Sequence, residues 1–191
     1  LSVSSFAEYQ FDWPERVAMD MVIDAERMGA ICRNYAPVSA LVQHDKNSWE
    51  LTVTNRRNPG ESANVFASVV LNTTGIWIDE VNRLIDANAP RKVLGTKGVH
   101  IAVRLPAQFR DQGIITLNKR MEEPAYLVPW RQGLHYMGVT ETVYDGDIDD
   151  IHASKEDVDW LLNELNYLLP SLNMKHDDIL FTWAGVRPLT Y

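Results

Sequence analysis

Four short apolar segments between residues 99 and 140 constrain the fold more than any other part of the chain. Residues 99–103, 114–117, 125–128 and 135–140 are rich in the β-branched, aromatic and other apolar residues that form strands. No segment with helical periodicity lies between them, although parallel strands need a long crossover, usually a helix, to return across a sheet. We therefore expect an antiparallel sheet in this region.

A helix is predicted shortly after these strands, over residues 154–169. Ser154, followed by acidic residues, is typical of a helix start, and Pro170 ends the pattern. Apolar residues recur at helical spacing between these two ends, so the helix has one face to bury. The residues of that face are Val158, Leu161, Leu162, Leu165 and Leu168.

Another helix is predicted near the start of the chain. Asp12 is expected to cap it, Pro14 lies in its first turn, and Gly29 is a natural stop. Its apolar residues also recur at helical spacing, and we expect this stripe to pack on a sheet.

A small antiparallel sheet is predicted next, with strands near residues 38–42, 49–53 and 65–71. Residues 68–72 form a continuous apolar run, which indicates a strand covered on both faces. A short helix is expected at residues 79–87. Residues 88–92 then lead into the second half of the chain, so we divide it into domains 1–90 and 91–191.

Composition narrows the class of function. The net charge of −8 and pI near 5.1 argue against the broad basic surface that nucleic acids require. The single cysteine excludes an internal disulfide and favours a reducing compartment, so we expect a cytoplasmic location. The five histidines lack ligand-like spacing, and we predict no metal site.

Three places carry candidate functional residues. His100 follows Gly98 at the expected start of a strand, where the glycine permits close approach to the backbone. Arg187 lies in the sequence Gly-Val-Arg-Pro-Leu, which holds a permanent, planar cation on a stiff backbone. Residues 73–75, Thr-Thr-Gly, follow the expected buried strand, where small residues permit contact with a ligand. From the residues alone, each of these also fits a structural role: a packing histidine, a buried ion pair and a tight turn.

In their order along the chain, these segments resemble the FAD-dependent glycerol-3-phosphate dehydrogenases, within the D-amino-acid-oxidase-like flavoproteins. The resemblance is carried by residues 72–75 (Asn-Thr-Thr-Gly), 97–100 (Lys-Gly-Val-His), 144–147 (Tyr-Asp-Gly-Asp) and 184–189 (Ala-Gly-Val-Arg-Pro-Leu). It implies an α+β fold, with an antiparallel substrate-binding sheet, flanking helices and part of a Rossmann-type FAD-binding domain.

The glycine-rich fingerprint of such cofactor domains is absent from residues 1–191, and the chain opens on Leu1. We therefore expect the chain to be an internal piece of a longer protein. On its own it is predicted to hold no FAD and to be inactive.

The resemblance also implies roles for individual residues. His100 and Arg187 match positions that line the substrate side of the flavin. Oxidation of an alcohol requires removal of the hydroxyl proton, so we predict that His100 takes this proton or polarises the hydroxyl, and that Arg187 anchors the phosphate or stabilises the alkoxide. Val38, with Thr73, Thr74 and Gly75, matches positions that contact the FAD.

The function that we predict is oxidation of sn-glycerol 3-phosphate to dihydroxyacetone phosphate, with electrons passed to quinone. The sequence leaves open an oxidase that uses oxygen and an amine or amino-acid oxidase, in which Arg187 would bind a carboxylate. It also leaves open a stand-alone small-molecule-binding module and peripheral contact with a membrane through other segments.

Overall fold

The computed structural model describes residues 4–119 and 123–190 of the chain. These residues form three α-helices and two antiparallel sheets, which confirms the expected α+β class. The helices are α1 (Pro14–Arg27), α2 (Ile78–Arg83) and α3 (Lys155–Leu168). Across the described residues, no helix is long and apolar enough to cross a membrane.

The smaller sheet is the predicted three-stranded meander. Its strands are β1 (Val38–Asp45), β2 (Ser48–Thr54) and β3 (Ser62–Ala67), in that order. Leu41 pairs with Leu51 across β1 and β2, and Leu51 pairs in turn with Val65. Of these three, Leu41 is the buried one, so the sheet has only a thin core within the described residues.

The larger sheet has six antiparallel strands and contains all four of the strands predicted between residues 99 and 140. They are β4 (Val93–Val103), β5 (Ile114–Leu117), β6 (Pro124–Trp130), β7 (Leu134–Gly138), β8 (Thr142–Val143) and β9 (Ile179–Thr190). The strand order is β5-β6-β7-β4, with β8 beside the first half of β4. Strand β9 pairs with the other edge of β4 along its whole length. Strand β4 is therefore the central strand of this sheet.

Alternation along β4 gives it two different faces. Val99, Ile101 and Val103 are fully buried on one face, in a cluster with Leu161 and Leu165 of α3. Burial of this apolar area is the main stabilising contribution to the second half of the chain. The opposite face carries Thr96, Gly98 and His100.

Helix α3 is fixed to β4 at its first turn. Ser154 and Asp157 form the capping box, so the predicted helix start is confirmed. The Nζ of Lys97 also lies 2.5 Å from Oδ2 of Asp157, and both side chains are mostly shielded from water. This ion pair joins the helix start to the strand that carries His100.

Helix α1 lies where it was predicted, but two details of the prediction are wrong. Trp13, not Asp12, is the N-cap residue, and no side chain caps the helix. None of the helix residues is buried, so α1 does not pack its apolar stripe on either sheet. Helix α1 is amphipathic, as the sequence indicates, but the described residues provide no surface against which its apolar stripe is buried.

Two further differences concern strands. Residues 68–72 do not form the expected buried strand: Val69 and Leu71 are 69% and 82% exposed. A strand needs a neighbour for its backbone, and no strand in the described residues pairs with this segment. Strand β9 was not anticipated, because it contains a glycine and a proline, which are unusual in a strand. The proline is tolerated because, among the described residues, β9 pairs only with β4.

Candidate functional site

Strand register brings His100 and Arg187 onto one face of the larger sheet. On β4 and β9, Thr96 is opposite Arg187, Gly98 is opposite Gly185, and His100 is opposite Trp183. Directly paired residues of a sheet point to the same face, as do residues two positions apart. The two predicted catalytic residues therefore share a surface, although they are far apart in the sequence.

Two glycines make room for these side chains. A Cβ atom on Gly98 would lie 2.7 Å from Cζ of Arg187, so the guanidinium rests directly over the Gly98 backbone. A Cβ atom on Gly138, which pairs with His100 from β7, would lie 2.5 Å from Nε2 of the imidazole. Any larger residue at either position would displace the functional group above it.

Several polar groups on this face have no partner among the described residues. The Nη2 of Arg187 donates to the carbonyl oxygen of Thr140 at 3.4 Å, but Nη1 is buried and unpaired. Nδ1 of His100 and Oγ1 of Thr96 are buried and unpaired as well. Buried polar groups are normally hydrogen-bonded, so three such groups on one face indicate a place for a polar ligand or ordered water.

Aromatic rings surround the imidazole. The Trp183 indole stacks on His100 with ring centroids 5.0 Å apart and planes 9° apart, and Tyr136 meets His100 edge-on at 5.6 Å. Trp130 extends the group through contacts with Tyr136 and Trp183. The sequence analysis gave no functional role to Trp130, Tyr136 or Trp183. That these three aromatic residues lie on the same face as His100 becomes visible only when the pairing of the strands is known.

The environment sets the protonation state of His100. Burial, reinforced by the positive charge of Arg187, lowers its pKa from 6.5 to about 4. The imidazole is therefore neutral at pH 7 and has a lone pair to accept a proton. Burial also raises the pKa of the Tyr136 phenol above its ordinary value of 10.0.

The residues predicted to contact FAD lie in a different part of the molecule. Val38 and Thr74 line one cavity of about 790 Å³ between the smaller sheet and α2, together with Leu51 and Trp77. Thr73 and Gly75 belong to the same turn but do not line the cavity, and neither do His100 and Arg187.

The turn itself is well defined. Asn72 accepts hydrogen bonds from the backbone N–H and the hydroxyl of Thr74, and donates to the carbonyl oxygen of Ile78. Gly75 begins the 3-10 turn Gly75–Trp77 with a φ of +60°, which a glycine adopts without strain. The tight-turn explanation and the ligand explanation for this segment are thus compatible.

The face that carries His100 fits a planar cofactor. Gly185 leaves the backbone bare there, because a Cβ atom on it would meet no atom within 4 Å, whereas Arg187 covers Gly98 and His100 covers Gly138. A flat ring can therefore approach this part of the sheet closely, beside the unpaired polar groups. The shape and polarity of this face therefore fit the flavin ring of FAD.

Comparison with known proteins decides the family. Residues 8–191 match the model of the family described as FAD dependent oxidoreductase, or DAO. The chain belongs to this family. FAD is the cofactor of the family, as the resemblance implied.

The similar proteins are longer than this chain. Glycerol-3-phosphate dehydrogenase of Synechocystis is 30% identical over 98% of this chain and 35% of its own length. Aerobic glycerol-3-phosphate dehydrogenase of Staphylococcus haemolyticus is 30% identical over 96% of this chain and 33% of its own length. The chain thus spans about a third of the length of these relatives.

Solved structures agree with the fold. Glycerol-3-phosphate dehydrogenase of Bacillus halodurans, solved in complex with FAD, superposes with a TM-score of 0.80 at 28% identity, over 92% of this chain and 35% of that one. Glycine oxidase of Geobacillus kaustophilus superposes with a TM-score of 0.68 at 21% identity, over 91% of this chain and 42% of that one, and supports the fold alone.

Proposed function

We propose that this chain is part of a flavin-dependent glycerol-3-phosphate dehydrogenase, which oxidises sn-glycerol 3-phosphate to dihydroxyacetone phosphate and passes electrons to quinone. In this proposal residues 91–191 are the substrate-binding domain and residues 1–90 are part of the FAD-binding domain. The observation that carries the proposal is a neutral imidazole and an incompletely paired guanidinium on one glycine-floored face. The choice of substrate is supported by the similar proteins, which are glycerol-3-phosphate dehydrogenases.

Bound FAD would supply the acceptor for the hydride that leaves the substrate carbon. The chain must remove the proton from the adjacent hydroxyl, and His100 is neutral at pH 7 and suited to accept it. The oxidised substrate then leaves as the ketone.

Arg187 would bind the charged part of the substrate. Its Nη1 has no partner in the described residues, while Nη2 is held by Thr140. A guanidinium fixed in this way can bind the phosphate of glycerol 3-phosphate or stabilise the developing alkoxide beside His100. We propose one or the other of these roles for Arg187, since both use the same charge-assisted hydrogen bonds.

The aromatic residues would keep water away from the reacting atoms. Trp183 covers one side of the imidazole and Tyr136 meets its edge. Exclusion of water strengthens the interaction of Arg187 with an anion, because the local dielectric constant falls.

The proposal is tested by turnover of glycerol 3-phosphate in the full-length protein. His100→Gln is expected to lower kcat about 100- to 10,000-fold, as is typical when a general base is removed. Arg187→Ala is expected to lower kcat/KM by a similar factor. His44→Gln and Arg16→Ala are matched controls, because both residues are exposed and lie on other elements.

Turnover close to wild type in both site variants would contradict the assignment. Turnover of an amino acid, with none of glycerol 3-phosphate, would replace the proposed substrate. Rates measured with a soluble quinone and with oxygen as the only acceptor separate the dehydrogenase from an oxidase.

A further inference from the structure

A second cavity lies at the far end of the larger sheet. It has a volume of about 790 Å³ and is lined where the chain leaves β4 and where β6 turns into β7. The N-terminal segment closes one side of it through Gln10 and Asp12. Neither His100 nor Arg187 lines this cavity.

Three arginines line the cavity: Arg104, Arg110 and Arg131. Two carboxylates, Asp12 and Asp111, line it as well, but no ion pair in the described part of the chain joins a carboxylate to any of the three arginines. The whole chain has 26 acidic and only 18 basic residues, so a group of unpaired arginines is contrary to its general charge. Clustered cations repel one another, and an anion between them relieves that cost.

Two of the three side chains, Arg131 and Arg104, are held in place by contacts other than ion pairs. The Arg131 guanidinium lies 3.4 Å from the ring centroid of Trp13 and 4.8 Å from that of Trp130. Nη1 of Arg104 donates to the carbonyl oxygen of Gln132 at 3.0 Å. Their fixed positions reduce the entropy lost when a ligand binds.

Two polar groups of the cavity lining, on Arg131 and His135, are left without a partner among the described residues. Nε of Arg131 is buried and has no hydrogen-bond partner among the described residues. The planar guanidinium is the side chain best suited to paired contacts with phosphate oxygens. Together, the cavity, the unpaired charges and the fixed guanidinium are the properties of an anion site.

We infer that this cavity binds a phosphoryl group, as a free phosphate ester or as the head group of an anionic lipid. Trp130 connects it to the candidate active site, because its ring also contacts Tyr136 and Trp183. The site does not depend on the proposed substrate or on the roles of His100 and Arg187.

The test is calorimetric titration of the full-length protein with inorganic phosphate. Arg187→Gln is used as the background, so that binding at the candidate active site does not contribute. Phosphate is expected to bind this background, and the further changes Arg104→Gln and Arg110→Gln are expected to weaken binding about tenfold or more. Arg16→Gln with Arg27→Gln is the matched control, since it removes the same charge from exposed positions on α1.

Vesicles distinguish the two sources of the phosphoryl group. Sedimentation with phosphatidylglycerol vesicles, compared with phosphatidylcholine vesicles, is measured for the same variants. Binding to the anionic vesicles alone, lost on Arg104→Gln with Arg110→Gln, assigns the site to a lipid head group. The single variant Arg110→Gln is measured as well, because one substitution at an exposed residue preserves the fold. Thermal unfolding of each variant shows whether it is folded.

The inference would be overturned if Arg187→Gln protein bound phosphate and vesicles equally well with and without the changes Arg104→Gln and Arg110→Gln. It would also be overturned if the Arg187→Gln protein bound neither phosphate nor anionic vesicles.

Discussion

The positions of His100 and Arg187 depend on residues that have no side chain. Gly98 lies under the guanidinium and Gly138 lies under the imidazole. The sequence drew attention to Gly98 only as a neighbour of His100, and gave no role to Gly138. These contacts cross between strands, so residue patterns within one strand do not predict them.

Replacing Gly98 tests this arrangement in the full-length protein. Gly98→Ala places a methyl group where the Arg187 guanidinium lies, and we expect kcat/KM for glycerol 3-phosphate to fall about 100-fold. Gly113→Ala is the control, because its methyl group would make only ordinary contact, at 3.4 Å from Pro129. Steady-state kinetics of both variants provide the measurement; unchanged kinetics in Gly98→Ala would show that Arg187 is not needed where the structure places it.

The lowered pKa of His100 predicts an unusual pH dependence. Since the pKa is about 4 instead of 6.5, the imidazole of the free protein stays neutral through the weakly acidic range. We therefore expect kcat/KM to stay constant from pH 6.5 down to about pH 5 and to fall only as the pH approaches 4. In Arg187→Lys the pH at which kcat/KM begins to fall should stay low, because a positive charge remains beside His100. In Arg187→Ala this pH should rise, because one of the two causes of the lowered pKa is removed.

The same group affects stability. In the unfolded chain the imidazole binds a proton below about pH 6.5, while the folded protein resists protonation down to about pH 4. The stability linked to His100 is therefore complete above pH 6.5 and is lost as the pH falls toward 4. Urea unfolding of wild type and His100→Gln across this range measures the difference; parallel pH curves would contradict the shift.

At the scale of elements, the ion pair between Lys97 and Asp157 joins β4 to α3. Burial alone would raise the pKa of Asp157, but hydrogen bonds from Lys97 and Ser154 outweigh it, and the pKa lies below its ordinary value of 3.8. The carboxylate is thus charged at neutral pH and depends on its partner.

Removing that partner should destabilise the protein. Lys97→Met leaves a mostly buried carboxylate unpaired, and we expect the free energy of unfolding to fall by about 3 kcal/mol. Lys155→Met is a suitable control, because Lys155 pairs with Asp159 on the exposed side of the same helix, where an ion pair contributes little. Equal urea midpoints for the two variants would show that the buried pair does not fix α3.

Most elements were predictable because their signals are local. The capping residues of α3 and the apolar strands between residues 99 and 140 are examples. The failures concern partners: residues 68–72 have the composition of a strand but no neighbour in the described residues, and β9 is a strand because β4 lies beside it. The sequence of a segment does not show whether another strand lies beside it in the fold.

For the whole molecule, the sequence predicted two residues of the candidate site but not their arrangement in space. It singled out His100 and Arg187, and the register of β4 and β9 placed them on one face. The roles of these residues, and of Val38, Thr73, Thr74 and Gly75 toward FAD, remain predictions.

We expect the purified chain 1–191 not to retain FAD. It has the cavity beside Val38 and Thr74, but its sequence contains no glycine-rich fingerprint to bind the pyrophosphate. Absorbance at the flavin bands after mixing with FAD and desalting is the measurement, with the full-length protein as the positive control. A chain that stays yellow would show that the remaining contacts are sufficient.

The long pairing of β4 with β9 also determines where the chain tolerates insertions. Because side chains alternate between faces, one extra residue within β9 before Arg187 would turn the guanidinium toward α3 and away from the imidazole. The same insertion near residue 171, between α3 and β9, would be absorbed by the connecting loop. Length variation among homologous proteins is therefore expected in that loop and not in the last strand.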